Sequence, residues 1–217
     1  MSIQTALISD FDGTLTPEDF FWYVSERWLD AEALEPWQRY LDGKLGHLEA
    51  LNLIFSRIRE PAAAFDAFIK EIPFDPTFVK TAALCREKNI PFYICSAGCD
   101  YYIKRIIGAY IREYGIRLVT NHGTYSPDSG LKMFPPAEGS PFYDPEVGIS
   151  KAALVKKVKE EGYRVVFAGD GPPDIAPAAA ADVVFAKRIL LEECRKRHIR
   201  TCRFDGFEDI YAYLKEM

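Results

Sequence analysis

The sequence predicts an α/β fold, a Rossmann-like parallel-sheet core that carries an inserted helical subdomain. Three observations predict it. Short apolar runs alternate with segments of helical periodicity along most of the chain, the pattern of strands packed against helices. The first run, Thr5 to Ser9 (TALIS), stops abruptly at Asp10-Phe11-Asp12-Gly13-Thr14. Charge then stands at the carboxyl end of a buried strand, where open α/β sheets bind ligands. From Pro17 to about Pro76 the alternation lapses and only helical spacing remains. The expected division is a core of residues 1–16 and 77–217, with a helical insert at 17–76.

Within the insert, Leu45, Leu48, Leu51, Phe55 and Ile58 recur at helical spacing, and Phe65, Phe68 and Ile69 continue the pattern. Thr77 to Lys88 then reads as a helix and Pro91 to Cys95 (PFYIC) as a strand, with Ser96-Ala97-Gly98 as its turn. Asp100 to Tyr114 reads as a helix with Ile103, Ile106, Ile107 and Tyr110 on one face. Ile116 to Thr120 reads as a strand, Tyr125 to Met133 as a small hairpin, and Pro135 to Val147 as a loop. Ser150 is placed to cap a helix that runs to about Glu161. Arg164 to Ala168 (RVVFA) is a strand that ends in Gly169-Asp170-Gly171. Asp182 to Ala186 and Arg200 to Phe204 read as two more strands, each followed by a helix.

Composition narrows the function classes. Of 217 residues, 48% are hydrophobic and 27% charged, as in an ordinary folded, soluble protein. A net charge of -5 lacks the clustered Lys and Arg of a nucleic-acid surface. No apolar run approaches the roughly 20 residues that span a bilayer, and the first residues lack the basic start of a signal peptide. The five cysteines form no CxxC pair, which suits reduced thiols in a cytoplasmic protein. No membrane or nucleic-acid partner is expected, and the chain is expected as a monomer or homodimer.

Four features sit at strand ends or helix starts. In the first, Asp10 and Asp12 lie two apart on extended backbone and face the same way. Like charges sharing a pocket call for a cation, and magnesium prefers oxygen ligands. Asp10 then serves as nucleophile toward a phosphoryl group. Asp12 serves as general acid and base, and Gly13 lets backbone N–H groups approach the phosphate. A plain turn with Asp and Gly is the bland alternative. The second feature is Ser96, which with Ala97 and Gly98 forms a candidate phosphate-oxygen cradle, or is an ordinary N-cap. The third is Lys151, a cation at the helix end that favours anions. It is placed to neutralise phosphoryl charge, or is one more solvated lysine beside Lys156, Lys157 and Lys159. Replacing it with Met is expected to cut turnover and leave folding nearly intact. The fourth is Gly169-Asp170-Gly171-Pro172-Pro173-Asp174, in which Asp170 would reach magnesium and Asp174 would orient Lys151 or hold a metal-bound water; a turn with a helix cap is its bland reading.

Taken in this order, the four features resemble the motifs of haloacid dehalogenase-like phosphatases over Thr5 to about Phe185. An insert between the first and second motifs resembles the helical cap of the phosphoserine phosphatase branch. The resemblance implies a small phosphorylated metabolite as substrate and an aspartyl-phosphate on Asp10. It also implies magnesium held by Asp10, Asp170 and the backbone carbonyl of Asp12. Gly43-Lys44-Leu45 is similar to that branch's cap, but the position of its carboxylate-binding arginine is occupied by Ile54, and Arg57 is the nearest arginine. Ser96 to Tyr102, Gly148 to Val158 and Phe185 to Arg195 resemble the 2-hydroxy-3-keto-5-methylthiopentenyl-1-phosphate phosphatases of methionine salvage. That family's cysteine-rich loop before the lysine is replaced here by Pro135 to Val147, which contains no cysteine. The aromatic run Phe20-Phe21-Trp22-Tyr23 is expected to pack the insert's own helices, with contact to an apolar substrate tail as the sharper alternative. Among other classes, a dehalogenase has no need of Asp12. A phosphomutase would keep both aspartates, and an inactive binding protein would have lost a motif residue.

Overall fold

The computed structural model describes residues 4–217. β1 (Thr5–Ser9) is buried at every position. Residues of the insert form helices: α1 (Phe20–Trp28), α2 (Glu35–Leu41), α3 (His47–Phe55) and α4 (Ala62–Glu71). They are followed by α5 (Thr77–Glu87), β2 (Phe92–Cys99), α6 (Asp100–Tyr114), β3 (Arg117–Ser126) and β4 (Gly130–Phe134). Two short strands, β5 (Tyr143–Asp144) and β6 (Gly148–Ile149), pair with each other. The remainder alternates: α7 (Lys151–Glu160), β7 (Arg164–Gly169), α8 (Ile175–Ala180), β8 (Val183–Ala186), α9 (Arg188–Lys196), β9 (Cys202–Arg203) and α10 (Phe207–Lys215).

Among the described residues the main sheet has seven strands in the order β4-β3-β2-β1-β7-β8-β9. All neighbours are parallel except β3 and β4. The chain winds outward from β1 through β2 and β3, then returns to place β7 on its other side. That reversal makes the carboxyl ends of β1 and β7 a topological switch point, the usual ligand crevice of such sheets.

Strand alternation builds a core on each face. Leu7 joins one cluster with Phe78, Phe92 and Phe207, while Ala6 and Ile8 join the other with Val155, Val165 and Phe167. Phe20, Phe55, Phe65 and Ile69 of the insert pack into the first cluster. Each such aromatic or aliphatic side chain contributes about 1.5–3 kcal/mol by leaving water, which ties the helical insert firmly to the sheet.

Several boundaries differ from the sequence expectation. β2 does not turn at Ser96 but runs on to Cys99. Its register with β3 slips there, since Ser96 faces Thr120 and Cys99 faces Asn121. The bulge is stable because side chains satisfy its backbone. Ser96 Oγ accepts the Gly98 N–H, Thr120 donates to the Gly98 carbonyl, and Asn121 donates to the Ala97 carbonyl. β3 is longer than expected because its end continues directly into the ladder with β4. The segment expected as loop at 135–147 gains a short antiparallel ladder, with Tyr143 opposite Ile149 and Asp144 opposite Gly148. β9 is only two residues long, an edge strand with both residues exposed.

Candidate active site

Parallel pairing of Ser9 with Ala168 puts the segments that follow β1 and β7 side by side. The Asp10 N–H donates to the Ala168 carbonyl at 2.9 Å. β1 itself stops at Ser9, and the chain turns at once, with the Phe11 carbonyl accepting the N–H groups of Thr14, Leu15 and Thr16. Phe11 is wholly buried in the core, while Asp10 and Asp12 on either side of it line one cavity. The two carboxylates share a pocket as expected, but a tight turn rather than a strand brings them there. Gly13 makes that turn possible. Its φ of +68° is left-handed, and a Cβ at this position would lie 2.4 Å from Asp170 Oδ2.

Lys151 is the first residue of α7, whose cap Ser150 accepts the Ala153 N–H as anticipated. The lysine is not solvated. It is 3% exposed, and its Nζ lies 2.8 Å from Asp10 Oδ1 and 2.7 Å from Asp174 Oδ1. Burial opposes its charge, but Asp10 and Asp174 outweigh burial and hold the ammonium well above its ordinary pKa. Asp174 is fully buried and fully engaged, because its Oδ2 accepts the N–H groups of Asp170 and Gly171. It anchors Lys151 and the loop after β7.

Asp10, Asp170 and Asp174 each offer a carboxylate oxygen within 4.8 Å of the others. Burial pushes the Asp10 carboxyl well above its usual range, Asp174 and Asp170 add to that, and Lys151 opposes it. Asp170 is pushed up to about 7 by burial and then by Asp174, against the hydrogen bond it accepts from Thr14. Lys151 thus bridges Asp10 and Asp174, while the guanidinium of Arg188 lies 3.7 Å from Asp170 Oδ2. Asp174 is committed to Lys151 and backbone, which leaves Asp10 Oδ2 for a cation together with Asp170 Oδ2, the oxygen that Arg188 also approaches. An all-oxygen set suits a hard divalent ion.

The Asp12 side chain stands apart from this cluster. Its Oδ2 accepts the Tyr102 hydroxyl at 2.5 Å and the Ser96 hydroxyl at 3.1 Å, and its Oδ1 accepts the Phe20 N–H at 3.1 Å. Burial raises its pKa, with these hydrogen bonds opposing. Ser96, expected at a strand-to-helix turn, therefore sits on the bulged strand and spends its hydroxyl on Asp12. Ala97 and Gly98 line the cavity beside it.

Above the acidic floor lies a cavity of about 380 Å³, walled by Phe20, Phe21, Trp37, Tyr40, Leu51 and Phe55. Phe20 and Phe21 both pack in the core and face the cavity, and Trp22, 42% exposed, stands at its mouth. The aromatic run thus packs the insert as expected, and Phe20, Phe21 and Trp22 of it also line the cavity. His47 also lines the cavity. Burial, helped by Lys151, holds its imidazole down to about 4, so it is neutral. Its ring meets Trp37 and Tyr40 edge-on, and its buried Nδ1 has no hydrogen-bond partner. Ile54 is buried in the core and Arg57 is exposed, outside the cavity lining. Arg188, at the mouth, pairs with Glu18 at 2.8 Å. Tyr102, His47, Trp37, Tyr40 and Arg188 escaped the sequence reading as site residues. Only Tyr102 and Arg188 carried a signal, from their places in the Ser96 to Tyr102 and Phe185 to Arg195 stretches.

Similarity to known proteins agrees with this architecture. The haloacid dehalogenase-like hydrolase family matches residues 7–179. The chain belongs to that family. A 2-hydroxy-3-keto-5-methylthiopentenyl-1-phosphate phosphatase of Bacillus cereus (strain B4264) is 27% identical over 219 residues, spanning 99% of this chain and 97% of the relative. A substrate-bound phosphoserine phosphatase superposes with a TM-score of 0.68 at 17% identity, over 98% of this chain and 99% of the other. A HAD family hydrolase from Salmonella enterica serovar Typhi gives a TM-score of 0.70 at 17% identity, over 96% of this chain and 71% of the other. Among the described residues no helix is long and apolar enough to cross a membrane.

Proposed function

We propose that this phosphatase is a magnesium-dependent phosphomonoester hydrolase that works through an aspartyl-phosphate on Asp10. Its substrate is a small phosphorylated metabolite with a short, uncharged, largely apolar tail. The observation that carries the reading is the buried Asp10–Lys151 contact of 2.8 Å at the floor of an aromatic-walled cavity that also holds Asp12.

Asp10 attacks phosphorus, and the ester P–O bond breaks as the carboxylate–phosphorus bond forms. Lys151 opposes the burial that raises the Asp10 carboxyl, and it neutralises charge on the transferring oxygens. Asp12 protonates the leaving oxygen, then takes a proton from the water that attacks the acyl phosphate and regenerates Asp10. Gly13, Ala97 and Gly98 bring backbone close to the phosphate, and Ser96 braces Asp12 from the same bulge. The carboxylates of Asp10 and Asp170 and the backbone carbonyl of Asp12 would hold the magnesium ion, with Asp174 in support. The ion would supply positive charge to the phosphoryl group. Helices of the insert act as a cap that excludes water from the reacting groups.

The cavity wall supports the substrate class. A substrate carboxylate would need a free arginine, but Arg57 is exposed and outside the cavity, and Arg188 at its mouth is paired with Glu18 and Asp170. This argues against phosphoserine, although phosphoserine phosphatases share the fold. Trp37, Tyr40 and Leu51 suit an apolar end, and neutral His47 suits a keto or hydroxyl oxygen. The name of the Bacillus relative describes a substrate of that kind, a keto- and hydroxy-substituted phosphate with a methylthio end. The test is phosphate release from that compound, phosphoserine and an aryl phosphate, with and without magnesium. Magnesium-dependent release fastest on the methylthio compound and lost in Asp10→Asn is expected. Faster release from phosphoserine would overturn the substrate reading, and full activity in Asp10→Asn would overturn the chemistry.

A further inference from the structure

Asp12 is held by more than a general acid needs for burial alone. Tyr102, the third residue of α6, is 2% exposed and places its hydroxyl 2.5 Å from Asp12 Oδ2. Gly98 leaves the room for this contact, since a Cβ there would lie 1.6 Å from the Tyr102 oxygen and 2.8 Å from Asp12 Oδ2. The ring of Tyr102 is fixed from the insert side, where Phe20 stacks on it at 4.0 Å with an interplanar angle of 3°. The same Phe20 donates its backbone N–H to Asp12 Oδ1. Two hydroxyl donors, Tyr102 and Ser96, thus claim Oδ2. Oδ1, with one backbone partner, is the oxygen left to carry the transferable proton.

We infer that Tyr102 is a positioning residue for Asp12, fixing the carboxyl so that Oδ1 delivers its proton to the leaving oxygen. The inference rests on the reading of Asp12 as the general acid. In that step the ester P–O bond breaks, its electron pair stays on the departing oxygen, and the Asp12 proton moves to that oxygen. Tyr102 exchanges no proton with substrate. The bland account is that a buried tyrosine needs an acceptor and Asp12 is nearest. The two accounts differ in how the loss of the hydroxyl depends on the leaving group. An alkyl phosphate requires protonation of its leaving alkoxide, whereas p-nitrophenyl phosphate departs as a stable phenolate.

The experiment measures kcat/KM, which reports the first phosphoryl transfer, on a primary alkyl phosphate and on p-nitrophenyl phosphate. It uses wild type, Asp12→Asn, Tyr102→Phe and the double variant, each checked for folding by thermal melting. Asp12→Asn is expected to lose far more on the alkyl phosphate. Tyr102→Phe is expected to show the same preference, falling about tenfold on the alkyl phosphate and less than about twofold on the aryl one. Added to Asp12→Asn, it should cost nothing further, because the two residues act as one unit. Should Tyr102→Phe fail to fold, Phe20→Leu loosens the stacked ring while keeping the hydroxyl, and the same leaving-group preference is expected from it. Equal losses on both substrates, or additive losses in the double variant, would overturn the role of Tyr102 while leaving the mechanism standing. An Asp12→Asn variant with no leaving-group preference would remove Asp12 as the acid, and this inference with it.

Discussion

At the scale of single residues, Lys151 carries the largest consequence. A lysine beside three others on one helix reads as solvated from sequence, yet its Nζ is sealed between Asp10 and Asp174. Removing one partner of a buried ion pair leaves charge uncompensated. Lys151→Met is therefore expected to cost on the order of 3 kcal/mol in stability, contrary to the expectation that folding would be nearly untouched. Turnover should fall by about a hundredfold or more. Urea unfolding alongside steady-state kinetics checks both; a variant with wild-type turnover removes the lysine from the chemistry. Asp10, Asp12, Asp170 and Asp174 were legible because charge at the end of an apolar run has few structural excuses. Tyr102 and His47 were not. Their distance from Asp12 and the aromatic wall depends on how α6 and α3 pack, which no local spacing encodes.

At the scale of elements, the alternation of runs gave the sheet and helices their order, because period-two and helical periodicities differ plainly. The bulge at the end of β2 stayed hidden. Ser96-Ala97-Gly98 looks like a turn, and only Thr120 and Asn121, distant in sequence, supply the side chains that keep it in the sheet. The insert's contribution is an aromatic wall rather than a single anchoring charge. Trp37 stacks on Phe21 at 4.6 Å in that wall. Trp37→Ala should raise KM for an apolar-tailed phosphate about tenfold, a lost contact of ~1.5 kcal/mol. KM for a short polar phosphate such as a phosphoglycerol should stay within about twofold. Similar changes for both would show that the wall does not read the tail.

At the scale of the whole molecule, the acidic floor makes stability depend on pH and cation together. Asp170 is raised to about 7 in the folded chain, by burial first, and Asp19 to about 6 by burial and Asp12. Both lie above the unfolded carboxylate value of about 4, so folding takes up protons. Their contribution is fully present below about pH 4 and is lost as pH rises through 6 and 7. In chelator, the melting temperature should therefore decline between pH 5 and pH 8. The proposed magnesium ion would bind the ionised carboxylates of the native state, so it should raise the melting temperature more at pH 8 than at pH 5. Equal shifts at both pH values would argue against a cation on this cluster.

The proposed covalent step on Asp10 can be trapped. Enzyme mixed with magnesium and substrate would be quenched in acid within a turnover, digested and mapped by mass spectrometry. A phosphoryl group on the peptide that carries Asp10, absent in Asp10→Asn, is the predicted result. Steady phosphate release with no phosphoryl group on any peptide, or undiminished release from Asp10→Asn, would contradict it and point to direct attack by water.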